Sequence, residues 1–532
     1  MQPGKFGVLF YDDPLPYAAL GATFDGGLVA EYGAAAGETL FCPDVTRDPY
    51  ERAGLSEDGT AAAALTRAWL SGRRTTVAYT EFDNACIDYR AAREVWLRPF
   101  FENFSGYVAP ASLNGRPFAE SPLYAAFANK KAYADFYDGG SEPPPAPEPR
   151  DASHLVRRLA EASTVLLKND GLLPAPDAVY LGTAPADIPG YLRLKRDRFS
   201  PRAMFRAARR LSGAAAAVVL LDTDGGLTRA QTELVKFAAR HAPTVAALIG
   251  VQAVELPFLS EVRALVYAPA ADAAAALPDI VAGRVSPGGR LPFTWTERSA
   301  YPAAHPKGNR VNFFYESVYN GYRYFGAAGI KPLFPFGAGL GYIAAAYDGL
   351  KITVTDDDLL VSFTVSNRSA ARGSETAFVY VDGADERAYG LNRRLADFAK
   401  ITLEAGETRT VGMKISLKSL EIPDEAGDFL PNGKYGLTVE NGSGAKLYGT
   451  AKLGRKCKPK FTAQYVPSYF ITDSGLHILG ADAQKVLGLP LYGEPPFAAD
   501  WQPVRRKYGV PPDDAAFARK ARAITRAQYE RM

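Results

Sequence analysis

From Ala215 to Tyr267 the chain alternates between two kinds of segment that constrain each other. Ala215 to Asp222 is a continuous apolar run of strand length, and Thr228 to His241 has the spacing of an amphipathic helix. Thr244 to Gly250 is a second apolar run and Leu265 to Tyr267 a third. Strands that are apolar on both sides need cover on both faces, and helices between parallel strands supply it. Upstream, His154 to Leu166 reads as a helix. The phrase VLLKNDGLLP, Val165 to Pro174, then reads as the end of that helix, a turn at Asn169-Asp170-Gly171 and the start of a buried strand. An α/β sandwich with a mostly parallel sheet is therefore expected over residues 151–347.

On either side the pattern changes. Ser141 to Arg150, SEPPPAPEPR, places clustered proline where neither helix nor strand interior tolerates it, so residues 141–150 read as a stiff linker. Residues 1–140 mix short apolar strands, such as Thr75 to Phe82, with helices, such as Asp88 to Phe100 carrying Ala91, Val95 and Trp96 on one side. Over residues 348–454 the apolar period becomes two, with turn residues between short runs, which predicts a β-sandwich. Residues 455–532 form an extension with no pattern that assigns a role. Its last stretch, Asp513 to Met532, reads as a solvated Ala- and Arg-rich helix.

Composition removes several function classes. A net charge of +3 over 532 residues implies no polyanionic partner, so no nucleic acid is expected. The three cysteines are odd in number and far apart, and the four histidines show no ligand spacing, so neither a disulfide framework nor a metal or other cofactor is called for. The opening residues lack a basic and apolar leader pattern. The longest small-apolar run, Ala214 to Leu221, is far below the ~20 residues of a membrane span. A cytoplasmic protein with no membrane partner is the expectation.

Four phrases occur in order: VLLKNDGLLP, SPGGRLPFTW (Ser286 to Trp295), YESVYNGYRYF (Tyr315 to Phe325) and PLFPFGAGLGY (Pro332 to Tyr342). Together they resemble the second domain of glycoside hydrolase family 3, of the β-glucosidase type. LADFAKITLEAGETRTV and PNGKYGLTVENGS are similar to the fibronectin type III-like domain that often closes those enzymes. The resemblance implies a retaining exo-β-glycosidase and a β-glucoside-like carbohydrate ligand. It also implies a (β/α) barrel ahead of the sandwich. Such barrels take about 250 residues, whereas 164 precede Val165. A truncated barrel-like domain over residues 1–140 is the expectation, and its open edges imply cover from the α/β domain, the tail, or a homo- or hetero-oligomeric partner.

The resemblance extends into that first region as an ordered series. GATFDGGLVAEYG (Gly21 to Gly33) and PDVTRDPYERAGLSEDG (Pro43 to Gly59) resemble two family phrases. Arg52 in the second stands where the family's arginine grips a sugar hydroxyl; a surface arginine in a loop is the other reading. Thr80 and Glu81 occupy the places of the family's Lys-His pair, with Arg90, Arg93 and Glu94 on the helix that follows. Arg52, Glu81 and Arg90 are the implied substrate-binding set. Each charge-assisted bond lost with the pair would weaken sugar binding by ~1.5–3 kcal/mol. SLNGRPFAES (Ser112 to Ser121) resembles a family turn. In AYADFYDGG, Asp138 aligns with the nucleophile, although an aspartate before two glycines is also an ordinary turn former.

A retaining enzyme needs a second carboxyl group as acid. The family's glutamate lies in a long loop after the second domain's apolar strand; here only Asp222 to Gly226 fill that loop. Asp222 and Asp224 are the acid candidates, and capping of the following helix is the alternative role. Arg290 reads as a tie between loops, Tyr322 and Tyr324 as core or interface aromatics, and Glu316 as a structural contact. The alternatives to an active enzyme are a catalytically inactive homologue serving as a carbohydrate-binding or scaffold protein, and one half of a heteromeric enzyme.

Overall fold

A computed structural model describes residues 17–36, 40–41, 44–51, 53–71, 76–77, 85–86, 91–101, 106–107, 112–113, 116–117, 131–132, 153–269, 274–301, 312–313, 318, 320–327, 330–383, 393–423, 428–454, 469–472 and 475–478. The central sheet contains β1 (Val165–Asn169), β2 (Val179–Gly182), β3 (Leu192–Arg193), β4 (Ala217–Asp222), β5 (Thr244–Ile249) and β6 (Ala264–Ala268). Their spatial order is β3-β2-β4-β5-β6-β1, parallel throughout except for β1, which runs antiparallel to β6. Every residue of β5 and β6 is buried, as continuous apolar runs covered on both faces must be.

Val165 to Pro174 differs from the sequence expectation. The helix ends at Ser163, and Val165–Asn169 is already strand. The cause is burial on both sides: Val165, Leu166 and Leu167 are all buried, which a one-sided helical stripe cannot provide, and Val165 and Leu166 pair with Tyr267 and Val266. Asn169 builds the turn, its carboxamide oxygen accepting from Leu172 and Leu173 N at 3.0 Å each and its nitrogen donating to Leu173 O at 2.9 Å. No strand begins at this turn, where Ala175 N instead donates to Val281 O, and the next strand is β2.

In the N-terminal region, Leu40–Phe41, Thr76–Val77, Gly106–Tyr107 and Lys131–Ala132 form a parallel sheet in which chain order equals spatial order. This is the ordering of a (β/α) barrel rather than of a doubly wound sheet. The described helices of this region are α1 (Tyr17–Thr23), α2 (Gly26–Ala36) and α3 (Gly59–Trp69), the last capped by the Asp58 carboxylate. The helix expected up to Phe100 is, in its described part, a wide π-turn over Ala92–Trp96 and then 3-10 over Arg98–Phe101. Leu97 N reaches Ala92 O at 2.7 Å, and Pro99 stops any α continuation. These helices share one apolar core with α4 (Ser153–Ser163) and the sheet: Leu20, Val29, Trp69 and Trp96 belong to the same cluster as Leu155, Leu159 and Val218. The α/β domain thus covers the apolar side of these N-terminal helices.

Seven strands complete the described C-terminal sandwich: β7 (Ala345–Val354), β8 (Asp358–Asn367), β9 (Gly373–Asp382), β10 (Arg394–Leu403), β11 (Thr408–Ser416), β12 (Gly433–Glu440) and β13 (Lys446–Leu453). They form antiparallel sheets β7-β8-β11 and β10-β9-β12-β13. Phe24 wedges the three regions together, meeting Phe336, Phe378 and Phe398 edge-on at 5.7, 5.0 and 5.3 Å. Its φ of +46° costs about 1–2 kcal/mol, which such aromatic pairs offset at about 0.5–1.5 kcal/mol each.

Candidate active site

The order of the central sheet reverses between β2 and β4, because β3 lies on one side of β2 and β4 to β6 on the other. Open parallel sheets bind ligands outside the carboxyl ends of the strands at such a point. Here those ends carry Thr183 and the turn Asp222 to Gly226. Thr183 Oγ1 accepts from Gln231 Nε2 at 2.8 Å, and Asp222 Oδ1 accepts from Asp224 N at 3.1 Å. Arg196 stands 3.6 Å from Asp222 Oδ2. Neither aspartate caps the next helix, α6 (Arg229–His241): Thr228 does, in a reciprocal box with Gln231.

Burial holds the Asp224 carboxyl above its usual range, reinforced by Asp222 and opposed by the Val251 amide and Arg196. That direction suits a proton donor. Gly250 makes the arrangement possible, since a Cβ there would lie 2.8 Å from Asp224 Oδ1 and 2.4 Å from Thr223 Oγ1.

The N-terminal loop over residues 44–58 is laid on this edge. Ala253 N donates to Pro49 O at 2.8 Å, Gln252 Nε2 to Glu51 O at 2.5 Å, and Tyr50 Oη to Thr296 O at 2.6 Å. One segment, Val251 to Ala253, therefore contacts Asp224 at one end and the Pro49-Tyr50-Glu51 stretch at the other. Arg298 approaches Glu51 to 3.4 Å. Burial raises the Asp48 carboxyl to about 6, against the Tyr50 amide, with Glu51 raising it further and Arg298 and Arg47 lowering it. Of the expected site residues, Asp222 and Asp224 are brought to this edge, and the immediate neighbours of Arg52 are brought beside them. Arg52, Glu81, Arg90 and Asp138 themselves lie outside the described residues, as do Glu316, the proline-rich segment 141–150 and Asp513 to Met532.

Sequence reasoning missed a buried charged cluster behind the site. Arg323, on α7 (Tyr322–Ala327), reaches Glu94 at 2.7 Å and Asp58 at 3.5 Å, and Arg394 of β10 lies 3.8 Å from Glu94. Tyr322 Oη donates to Asp58 Oδ2 at 2.8 Å and accepts from Leu395 N at 2.9 Å. Tyr322 is thus an interface aromatic. Asp58 was findable as a helix cap ahead of an Ala-rich run; its ion-pair partner, 265 residues away, carries no local signal. Arg290, buried, pairs with Glu375 and so ties the α/β domain to the sandwich.

Glu57 is fully enclosed. It accepts from Thr294 N at 2.6 Å, Thr294 Oγ1 at 2.7 Å and Tyr322 N at 2.8 Å. Burial nevertheless raises its carboxyl from 4.5 to about 7, opposed by these bonds and aided by Asp58. The folded state therefore holds this proton more tightly than the unfolded chain. The resulting stability is complete below pH 4.5 and is lost as pH rises to about 7. We expect the wild type to lose roughly 3 kcal/mol relative to Glu57→Gln across that window in urea titrations at a series of pH values. Parallel pH profiles for the two proteins would contradict this. Asp48, common to both, drops out of the comparison.

Residues 203–342 match the glycosyl hydrolase family 3 C-terminal domain, and residues 375–443 match the fibronectin type III-like domain. The chain is a glycoside hydrolase family 3-like protein. Among curated relatives, a β-glucosidase of Rhizobium radiobacter is 34% identical over 224 residues, 39% of this chain and 27% of the relative. β-Glucosidase BoGH3A of Bacteroides ovatus is 28% identical over 224 residues, 38% of this chain and 30% of the relative. The family 3-like chain spans under a third of the length of either relative. In fold it is similar to β-glucosidase 3B from Thermotoga neapolitana, solved with glucose among other ligands, at a TM-score of 0.69 and 16% identity, covering 84% of this chain and 89% of that one. It is also similar to DesR, a β-glucosidase from Streptomyces venezuelae solved with D-glucose, at a TM-score of 0.70 and 17% identity, covering 83% and 91%.

Proposed function

We propose that this family 3-like protein is a retaining exo-β-glycosidase acting on β-glucosides. Its sugar site lies where the 44–58 loop meets the carboxyl edge of the central sheet. The observation that carries the reading is the Val251–Ala253 segment, which joins Asp224 to the stretch leading into Arg52. In this reading Asp138 attacks the anomeric carbon, Asp224 with Asp222 beside it supplies the proton to the leaving oxygen, and Arg52, Glu81 and Arg90 hold the sugar hydroxyls. The β-glucosidases among the relatives, and the two β-glucosidases of similar fold solved with glucose, support a carbohydrate ligand.

A second reading, a non-catalytic carbohydrate-binding homologue in the cytoplasm, is favoured by one observation. The five-residue turn Asp222 to Gly226 holds no glutamate, and its first aspartate is engaged by Arg196 and the Asp224 amide. Steady-state assays on a panel of aryl β-glycosides separate the two. The enzyme reading expects measurable turnover that falls by about 10³-fold or more in Asp138→Asn. Equal turnover in both proteins removes Asp138 from the mechanism, and no turnover with sugar binding intact selects the second reading.

A further inference from the structure

The whole-chain charge of +3 conceals an uneven distribution. From the edge strand β3 through helix α5 (Pro201–Leu211), the side chains of Arg193, Lys195, Arg198, Arg202, Arg206 and Arg209 are all exposed. Asp197 is the only acidic residue between positions 191 and 213. Among the described residues none of these six cations has an ion-pair partner, whereas the neighbouring Arg196 and Arg210 are engaged by the carbonyls of Gly226 and Gly190.

Helix α5 packs on the sheet through Ala203, Ala207 and Leu211. At 100° per residue the opposite pole is Phe205, which is 65% exposed. Arg202 and Arg209 stand three residues before and four after it, so the ring emerges from within a collar of guanidinium groups. Burying this phenylalanine in the fold would have been the default for its residue type.

We propose that the β3–α5 face docks the protein on an anionic lipid surface, with Phe205 entering the headgroup boundary and the surrounding cations meeting lipid phosphates and carboxylates. Cations in a cluster add their attraction to a negative leaflet, and a single apolar side chain at the centre converts attraction into insertion. The association is peripheral: no helix among the described residues is long and apolar enough to cross a membrane. Nucleic acid fits this face less well. No Asn or Gln lies between positions 191 and 213 to read base edges, and one aromatic on a convex helix offers no series of stacking platforms.

Co-sedimentation of the full chain with phosphatidylserine–phosphatidylcholine vesicles, against pure phosphatidylcholine vesicles, tests the proposal. Binding is expected only with the anionic lipid and is expected to vanish in high salt. Arg202→Glu, Arg206→Glu and Arg209→Glu together are expected to reduce partitioning at least about ten-fold. Phe205→Ser is expected to reduce it several-fold with an unchanged thermal melt, which also serves if the triple variant fails to fold. Equal binding to both vesicle types, or unchanged partitioning in Phe205→Ser, overturns the proposal. So does a single-stranded oligonucleotide that displaces the protein from vesicles and binds Phe205→Ser as well as wild type.

Discussion

Arg323→Met is expected to destabilise the folded chain by about 3–5 kcal/mol, measured as the shift in a chemical denaturation midpoint at constant slope. The substitution keeps the apolar stem of the side chain and removes the guanidinium from between two carboxylates, Glu94 at 2.7 Å and Asp58 at 3.5 Å, that are 1% and 0% exposed. Buried ion pairs are weak contributors when compared with apolar replacements of the whole set, but removing one member strands charge in a low dielectric. Three regions depend on this cluster, because Asp58 also caps α3 and Tyr322 bridges Asp58 to Leu395 of the sandwich. The loss is therefore expected as one cooperative transition, and Glu94→Gln in the same chain is expected to restore part of it. A cost below about 1 kcal/mol would mean that the cluster is hydrated and contributes little.

Gly21→Ala is the second large effect. A Cβ at this position of α1 would lie 1.8 Å from the Leu55 carbonyl oxygen and 3.1 Å from Pro292 Cβ. Backbone cannot swing aside as a side-chain end does, so α1 must separate from the 44–58 loop. Overpacking costs of this kind reach about 3 kcal/mol. Gly26→Ala, five residues on, meets only Ala68 Cβ at 3.5 Å, an ordinary contact, and sits in helix α2. It is expected to be neutral or to gain up to about 1 kcal/mol. Thermal melts of the two variants side by side check the contrast. Because the displaced loop is the one that leads into Arg52, Gly21→Ala is also expected to impair sugar binding while Gly26→Ala does not.

Much of this architecture is legible in the sequence. The apolar runs of β4, β5 and β6 announced buried parallel strands, and Thr228 with Gln231 announced the start of α6, because caps and periodicity are local. Val165 to Leu167 could not be placed by the same logic. Three apolar residues after an amphipathic helix fit either a last turn or a first strand residue, and the pairing with Val266 and Tyr267, about a hundred positions away, decides it. The site divides in the same way. Asp222 and Asp224 were visible as polar residues ending an apolar strand. The docking of Pro49–Glu51 on Val251–Ala253 joins segments 201 residues apart, and the approach of Arg323 to Asp58 spans 265. The basic face of α5 was obscured for a different reason: a whole-chain net charge averages away clustering.

The sugar site itself is tested most directly by trapping. A 2-deoxy-2-fluoro-β-glucoside with a good leaving group slows release of the glycosyl-enzyme more than its formation, so a retaining nucleophile accumulates the covalent adduct. Peptide mapping by mass spectrometry is expected to find one fluoroglucosyl group on the peptide containing Asp138 and none in Asp138→Asn. An unlabelled protein under conditions that label a family 3 β-glucosidase, or a label on any other carboxylate, would contradict the account.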